Sequence, residues 1–123
     1  MSLRSTVYAL VISALCTIFL PRIAFAHAII VEAAPAAHST VSAGDIPIQL
    51  KFNSRVDRAR SRLRLIDVRG IATKLELTDS TADRMTALAK SVAPGNYRLE
   101  WYVLSADGHI TRGNIKFTAA EKP

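Results

Sequence analysis

The sequence predicts a single all-β domain, a β-sandwich with Greek-key connections, preceded by a segment that is not part of the fold. Three observations predict it. Apolar and polar residues alternate with period two after residue 45, turn chemistry falls between the alternating runs, and helical spacing is nowhere sustained.

The opening segment reads as an export signal. Arg4 gives it a positive start, Val7 to Leu20 is apolar and uncharged, and Ala24-Phe25-Ala26 places small residues where a signal peptidase cuts. The apolar run has 14 residues, short of the roughly 20 that cross a bilayer as a helix. The chain therefore divides into a signal peptide, residues 1–26, and one domain, residues 27–123, whose mature form is not expected to span a membrane. A rival cut exists: Ala26-His27-Ala28 is also small-x-small, and cleavage after Ala28 would discard His27. Cys16 lies inside the apolar run after Leu15, where lipoprotein processing would need a small residue.

Removing residues 1–26 takes away Arg4 and Arg22, so 16 basic residues become 14 against 10 acidic, a formal charge of +4. The single cysteine, Cys16, leaves with the signal. This excludes a disulfide and a thiolate metal site in the product. A core of apolar side chains must hold the remaining residues together.

The strands follow in order. Ala28 to Glu32 is a short candidate, and Ile48-Gln49-Leu50-Lys51-Phe52 alternates cleanly. Leu63 and Leu65 stand between Arg62, Arg64 and Ile66, and Met85 to Ala89 is another short candidate. Tyr97, Leu99, Trp101 and Val103 share one face of a long run, and Ile115 and Phe117 repeat the pattern near the C-terminus. Turn signals separate these runs at Pro35 to His38, Ala43-Gly44-Asp45, Arg69-Gly70, Asp79 to Asp83, Pro94-Gly95-Asn96 and Asp107-Gly108. Short strands at such spacing belong in a sandwich.

Three histidines survive export: His27, His38 and His109. His27 would carry a free α-amine, which with its own imidazole Nδ1 can close a chelate ring on a metal. Asp107 and His109 flank Gly108, which lets the backbone turn or approach closely. Together these groups offer three nitrogens and a carboxylate oxygen. That set suits the tetragonal geometry of Cu(II), which also heads the divalent affinity order for such ligands; zinc would take the same ligands tetrahedrally. Met85 is the single methionine of the mature chain, so nothing selects Cu(I) as a thioether cluster would. Affinity should fall with pH, because a free α-amine has a pKa of about 7.7–8.0 and must lose its proton to ligate. Taken alone, Asp-Gly-His is the pattern of an ordinary turn with a surface histidine. His38, in a polar turn after Pro35, reads as solvated.

The run Pro94-Gly95-Asn96-Tyr97-Arg98-Leu99-Glu100-Trp101-Tyr102-Val103-Leu104-Ser105-Ala106-Asp107-Gly108-His109, with Gly113 and Phe117 after it, resembles the C-terminal signature of the CopC family of periplasmic copper-resistance proteins. His27-Ala28 after a signal peptide, then Pro35-Ala36 and the strand Ile48 to Phe52, resemble that family's N-terminal half. The resemblance implies an immunoglobulin-like sandwich in the periplasm. It implies one Cu(II) per mature chain on His27, Asp107 and His109, a role as copper carrier or buffer without enzymatic turnover, and delivery to an inner-membrane partner of the CopD type. A monomer is expected. Arg55 stands where many members carry an acidic residue, and a cation there cannot ligate copper.

Arg55, Arg58, Arg60, Arg62 and Arg64 form a basic run. Arg60, Arg62 and Arg64 alternate with Ser61, Leu63 and Leu65 as a solvated strand face does, and an exported protein has little occasion to meet nucleic acid. Trp101 and Tyr97 read as core. Two other functions compete: a small copper-dependent redox enzyme with a histidine-brace site, and a metal-free immunoglobulin-like interaction module. A hydrolase built on Ser105, Asp107 and His109 is disfavoured, since same-side residues of an extended strand lie about 6.6 Å apart.

Overall fold

Alternation becomes burial in the long strands, where every second side chain turns inward. The computed structural model describes residues 28–122; the expected signal segment 1–26 and His27 lie outside the described residues. In chain order the strands are β1 (Ile30–Ala34), β2 (Thr40–Ser42), β3 (Gly44–Phe52), β4 (Val56–Ile66), β5 (Ala72–Leu75), β6 (Leu77–Thr78), β7 (Arg84–Val92), β8 (Gly95–Ser105) and β9 (Ile110–Ala120). One sheet runs β1-β3-β7-β6 and the other β2-β9-β8-β4-β5. The pair β2–β9 is parallel and the other pairs are antiparallel. After β3 the chain changes sheet between β3 and β4, back between β5 and β6, and again between β7 and β8, as a Greek key does. This is the strand order of an immunoglobulin-type sandwich.

Ile46, Ile48, Leu50 and Phe52 of β3 meet Leu63 and Leu65 of β4, Met85 of β7, Leu99 and Val103 of β8, and Ile115 and Phe117 of β9 in one buried cluster. Met85 is fully buried. Tyr97 marks the crossing from β7 to β8: its hydroxyl donates to the Ala93 carbonyl at 2.7 Å and its ring stacks on Phe117 at 5.8 Å. This is the tyrosine-corner arrangement of such sandwiches. Trp101 packs against the core from a half-buried position. It stands opposite Gly113, where a Cβ would come within 2.3 Å of the indole. Only glycine leaves the ring its place.

The outward positions of β4 carry Arg60, Arg62 and Arg64, all exposed, while Ser61, Leu63 and Leu65 are buried. Ser61 has a structural task. The register of β4 against β8 shifts between Asp57 and Arg62, and the Ser61 hydroxyl spans this bulge, donating to Asp57 O at 2.5 Å and accepting from Leu104 N at 3.0 Å.

Three strands go beyond the sequence reading. β2, β5 and β6 are short edge strands with mostly exposed or half-exposed residues, so no alternation announces them. Elsewhere the boundaries moved: β1 begins at Ile30 rather than Ala28, and β3 and β7 extend beyond the segments 48–52 and 85–89.

Candidate metal centre

A tight hairpin joins β8 to β9 and sets the geometry of the site. Gly108 N donates to Ser105 O at 3.0 Å, and Ser105 N donates to His109 O at 2.9 Å. Gly108 has φ +87°, the left-handed region that glycine enters without a Cβ penalty. A turn closed by a left-handed glycine is the usual three-residue hairpin loop. Here it folds residues 107 and 109 back on each other.

Asp107 Oδ1 accepts the Ser105 hydroxyl and, at 3.1 Å, the His109 backbone N–H. Asp107 Oδ2 lies 3.0 Å from His109 Nδ1. These donors hold the carboxyl well below its ordinary 3.8, at about 2, the Ser105 hydroxyl contributing most and the His109 N–H next. Stabilisation of the charged form by hydrogen bonds is the physical cause. Asp107 and His109 are 32% and 48% exposed, so an ion from solution can reach them.

The expected 6.6 Å spacing of Ser105, Asp107 and His109 fails, because the turn ends the extended chain at Ser105. The resulting order is nevertheless not that of a nucleophile triad. The Ser105 hydroxyl contacts the Asp107 carboxylate and the His109 carbonyl, whereas a nucleophilic serine must share its proton with an imidazole.

The N-terminal segment enters the fold beside this turn. Ala28 is buried and its carbonyl accepts the Thr111 hydroxyl at 3.2 Å, two residues beyond His109. Ile29 and Asn53 bind reciprocally, Ile29 N to Asn53 Oδ1 at 2.8 Å and Asn53 N to Ile29 O at 2.9 Å. Ala106 N donates to Arg55 O at 3.0 Å; Arg55 therefore reaches the turn through its backbone. Three segments meet here: residues 28–29, residues 53–55 and the hairpin.

Among the described residues no group of three or more His, Cys, Asp or Glu side chains is placed to hold a metal. Asp107 and His109 form a pair, and His27, the third expected ligand, lies outside the described residues. His38 is elsewhere. Its N–H donates to Lys116 O at 2.7 Å, seven residues along β9 from His109, roughly 20 Å at the strand rise. Ser105, Asn53 and Thr111 were not anticipated as parts of this site. Ser105 had a signal: it continues the inward positions 99, 101 and 103, and a buried hydroxyl needs a partner.

The model of the CopC domain matches residues 30–120. The chain belongs to the CopC family. Protein YobA of Escherichia coli K12 is 32% identical over 120 residues, covering 94% of each chain. The copper transport protein CutJ of Bacillus subtilis strain 168 is 31% identical over 112 residues, covering 88% of this chain and 21% of CutJ; this chain thus spans about a fifth of that relative. Among solved structures, CopC from Methylosinus trichosporium OB3b matches with TM-score 0.73 at 29% identity, over 79% of this chain and 97% of that one. PcoC of Escherichia coli, a methionine-rich copper resistance protein, shares the fold with TM-score 0.65 at 24% identity, over 77% of this chain and all of that one. The CopC-family chain described here differs from a methionine-rich protein: Met85 is sealed in the core and offers no thioether to an ion in solution.

Proposed function

We propose that this CopC-family chain is a periplasmic copper(II)-binding protein, a carrier or buffer in copper homeostasis or resistance rather than an enzyme. One Cu(II) per mature chain is held by the amine and imidazole of His27 together with Asp107 and His109. The observation that carries this reading is the 3.0 Å separation of Asp107 Oδ2 and His109 Nδ1. Two ligands about 2.1 Å from one ion lie about 3.0–3.4 Å apart, so the pair already stands close enough to share a metal, and the preference for Cu(II) over zinc rests on the nitrogen-rich donor set. A metal ion replaces the proton shared between the two atoms.

The anchoring of Ala28 on Thr111 supports the third ligand, since consecutive Cα atoms are 3.80 Å apart across a peptide bond. Copper taken up here is cargo, and an inner-membrane partner of the CopD type is its proposed recipient. The reading is tested by titrating mature monomeric protein with Cu(II) under electron paramagnetic resonance. One equivalent should give a tetragonal spectrum. His109→Ala should weaken binding by at least tenfold and His38→Ala by less than twofold; equal losses would remove Asp107 and His109 from the site.

A further inference from the structure

The outer face of the five-stranded sheet gathers charge that no single strand carries. Register places Arg62, Tyr102 and Arg112 in one row across β4, β8 and β9. The next row holds Lys74, Arg64, Glu100 and Asn114. The third sets Arg98 beside Lys116. Six exposed cations thus share these rows with one carboxylate, Glu100, which pairs with Arg64; a second, Asp67, lines the concavity at the edge of the third row and pairs with Arg69. Both guanidiniums of the first row lie over the Tyr102 ring, at 4.4 and 5.1 Å.

A face built only for solvation would intersperse signs. This one opposes Arg64 to Lys74 and Arg98 to Lys116 across neighbouring strands, and like charges directly opposite are destabilising. An anionic partner relieves that repulsion. We propose that this face docks on the surface of an anionic phospholipid bilayer.

The shape of the field favours lipid over an acidic protein. It covers about 14 by 13 Å, three strand spacings by two same-side steps. The concavity within it is lined by Arg62, Arg64, Lys74, Glu100, Tyr102 and Arg112, which offers no apolar socket of the kind a protein anchor fills. Exposed aliphatic side chains stand at its two ends. Ile110, 48% exposed, pairs with Leu104 beyond the first row, and Val68, 81% exposed, borders the concavity shared by Arg98 and Lys116. Cations among headgroups with aliphatic side chains at the acyl boundary is how a monotopic surface sits on a bilayer. Docked in this way, the sheet brings the 105–109 turn, next to the Leu104–Ile110 pair, to the rim of the contact.

The test uses metal-free mature protein, so its outcome is independent of the copper reading. Co-sedimentation is measured with vesicles of phosphatidylcholine containing a quarter phosphatidylglycerol, and with phosphatidylcholine alone. Each Lys or Arg at an anionic surface contributes about fivefold in partition (about 1 kcal/mol). Arg62→Gln/Arg112→Gln and Arg98→Gln/Lys116→Gln should each lower partition roughly 25-fold, and Lys51→Gln/Lys90→Gln, on the other sheet, less than threefold. Binding should vanish on neutral vesicles and at 0.5 M salt. Equal losses in all three variants, or no binding to anionic vesicles at low salt, would overturn the proposal. So would retention on immobilised poly-glutamate without vesicle binding, which assigns the face to an acidic protein. Release by inorganic phosphate beyond its effect on ionic strength would assign it to a soluble anion, with the same result.

Discussion

The Ser105 hydroxyl donates to the Asp107 carboxylate from a position only 2% exposed. The inward direction of residue 105 is inherited from the parity of β8, and the turn that follows brings a carboxylate above it. A core position thereby orients a surface carboxylate, the proposed copper ligand. Partners of metal-binding carboxylates matter to affinity by about 10- to 100-fold when removed. Ser105→Ala should therefore raise the Asp107 pKa from about 2 toward its ordinary 3.8 and weaken Cu(II) binding at least tenfold. Ser105→Thr should restore most of both. Carboxyl carbon chemical shifts against pH read the first effect, and a competitive copper titration reads the second. An unchanged Asp107 pKa in Ser105→Ala would leave the serine a filler of space.

Acid stability depends on the same carboxylate. The folded pKa of Asp107 is depressed below the reference of about 3.9 for an unfolded chain, so its ionised form stabilises the fold fully above that reference. The contribution is lost as pH falls toward about 2. In metal-free protein, the stability difference between wild type and Asp107→Asn should be constant above about pH 5 and shrink between about pH 4 and pH 2. Denaturant melts across that range measure it. A difference that persisted unchanged at pH 2 would show that the variant acts through something other than charge.

Gly113 and Trp101 predict a stability effect far from any ligand. Alanine at 113 puts its methyl 2.3 Å from a ring carbon, and a half-buried indole wedged against the core cannot move aside freely. Overpacking of this kind costs about 1–3 kcal/mol, which lowers Tm by roughly 5–20 °C in a domain of this size. Thermal unfolding of Gly113→Ala should show that drop, with a shifted tryptophan emission. Gly70→Ala meets no neighbouring atom but must adopt φ +81°, so it should cost stability through the backbone while leaving the emission unchanged.

The sequence was most legible where burial is one-sided. Ile48, Leu50 and Phe52, or Leu99 and Val103, alternate because each strand has one wet face, and that alternation survives in the sequence as text. Thr40–Ser42, Ala72–Leu75 and Leu77–Thr78 are strands because their neighbours offer free hydrogen-bonding edges, which is non-local information. The site shows the same division. Asp107, Gly108 and His109 could be picked out by residue type and spacing. Ser105 reads in the sequence as a member of the family signature and as the serine of a disfavoured triad, and its bond to Asp107 stays hidden because a left-handed glycine ends the extended chain. The basic face was half visible: Arg62 and Arg64 alternate on β4, but Lys74, Arg98, Arg112 and Lys116 join them only through topology.

The N-terminal cut should switch the metal site on. In the uncleaved chain the His27 nitrogen is part of a peptide bond to Ala26 and is no longer basic, so the chelate ring of amine and imidazole cannot close. Ala28 is buried and held to Thr111, two residues beyond His109, which supports a processed terminus one residue earlier as a ligand. Protein beginning at His27 should bind Cu(II) at least a hundredfold more tightly than protein beginning Met-His27. Acetylation of the mature terminus should reproduce the weakness, because it removes the amine and leaves the imidazole and both hairpin ligands intact. Isothermal competition against a chelator of known affinity gives the constants, and nitrogen hyperfine structure in the paramagnetic spectrum counts the nitrogens. Identical affinities and spectra for native, extended and acetylated forms would exclude the amine. Cleavage after Ala28 would remove the residue bonded to Thr111 as well, so protein starting at Ile29 should lose both copper binding and stability, whereas acetylated protein should lose only the first.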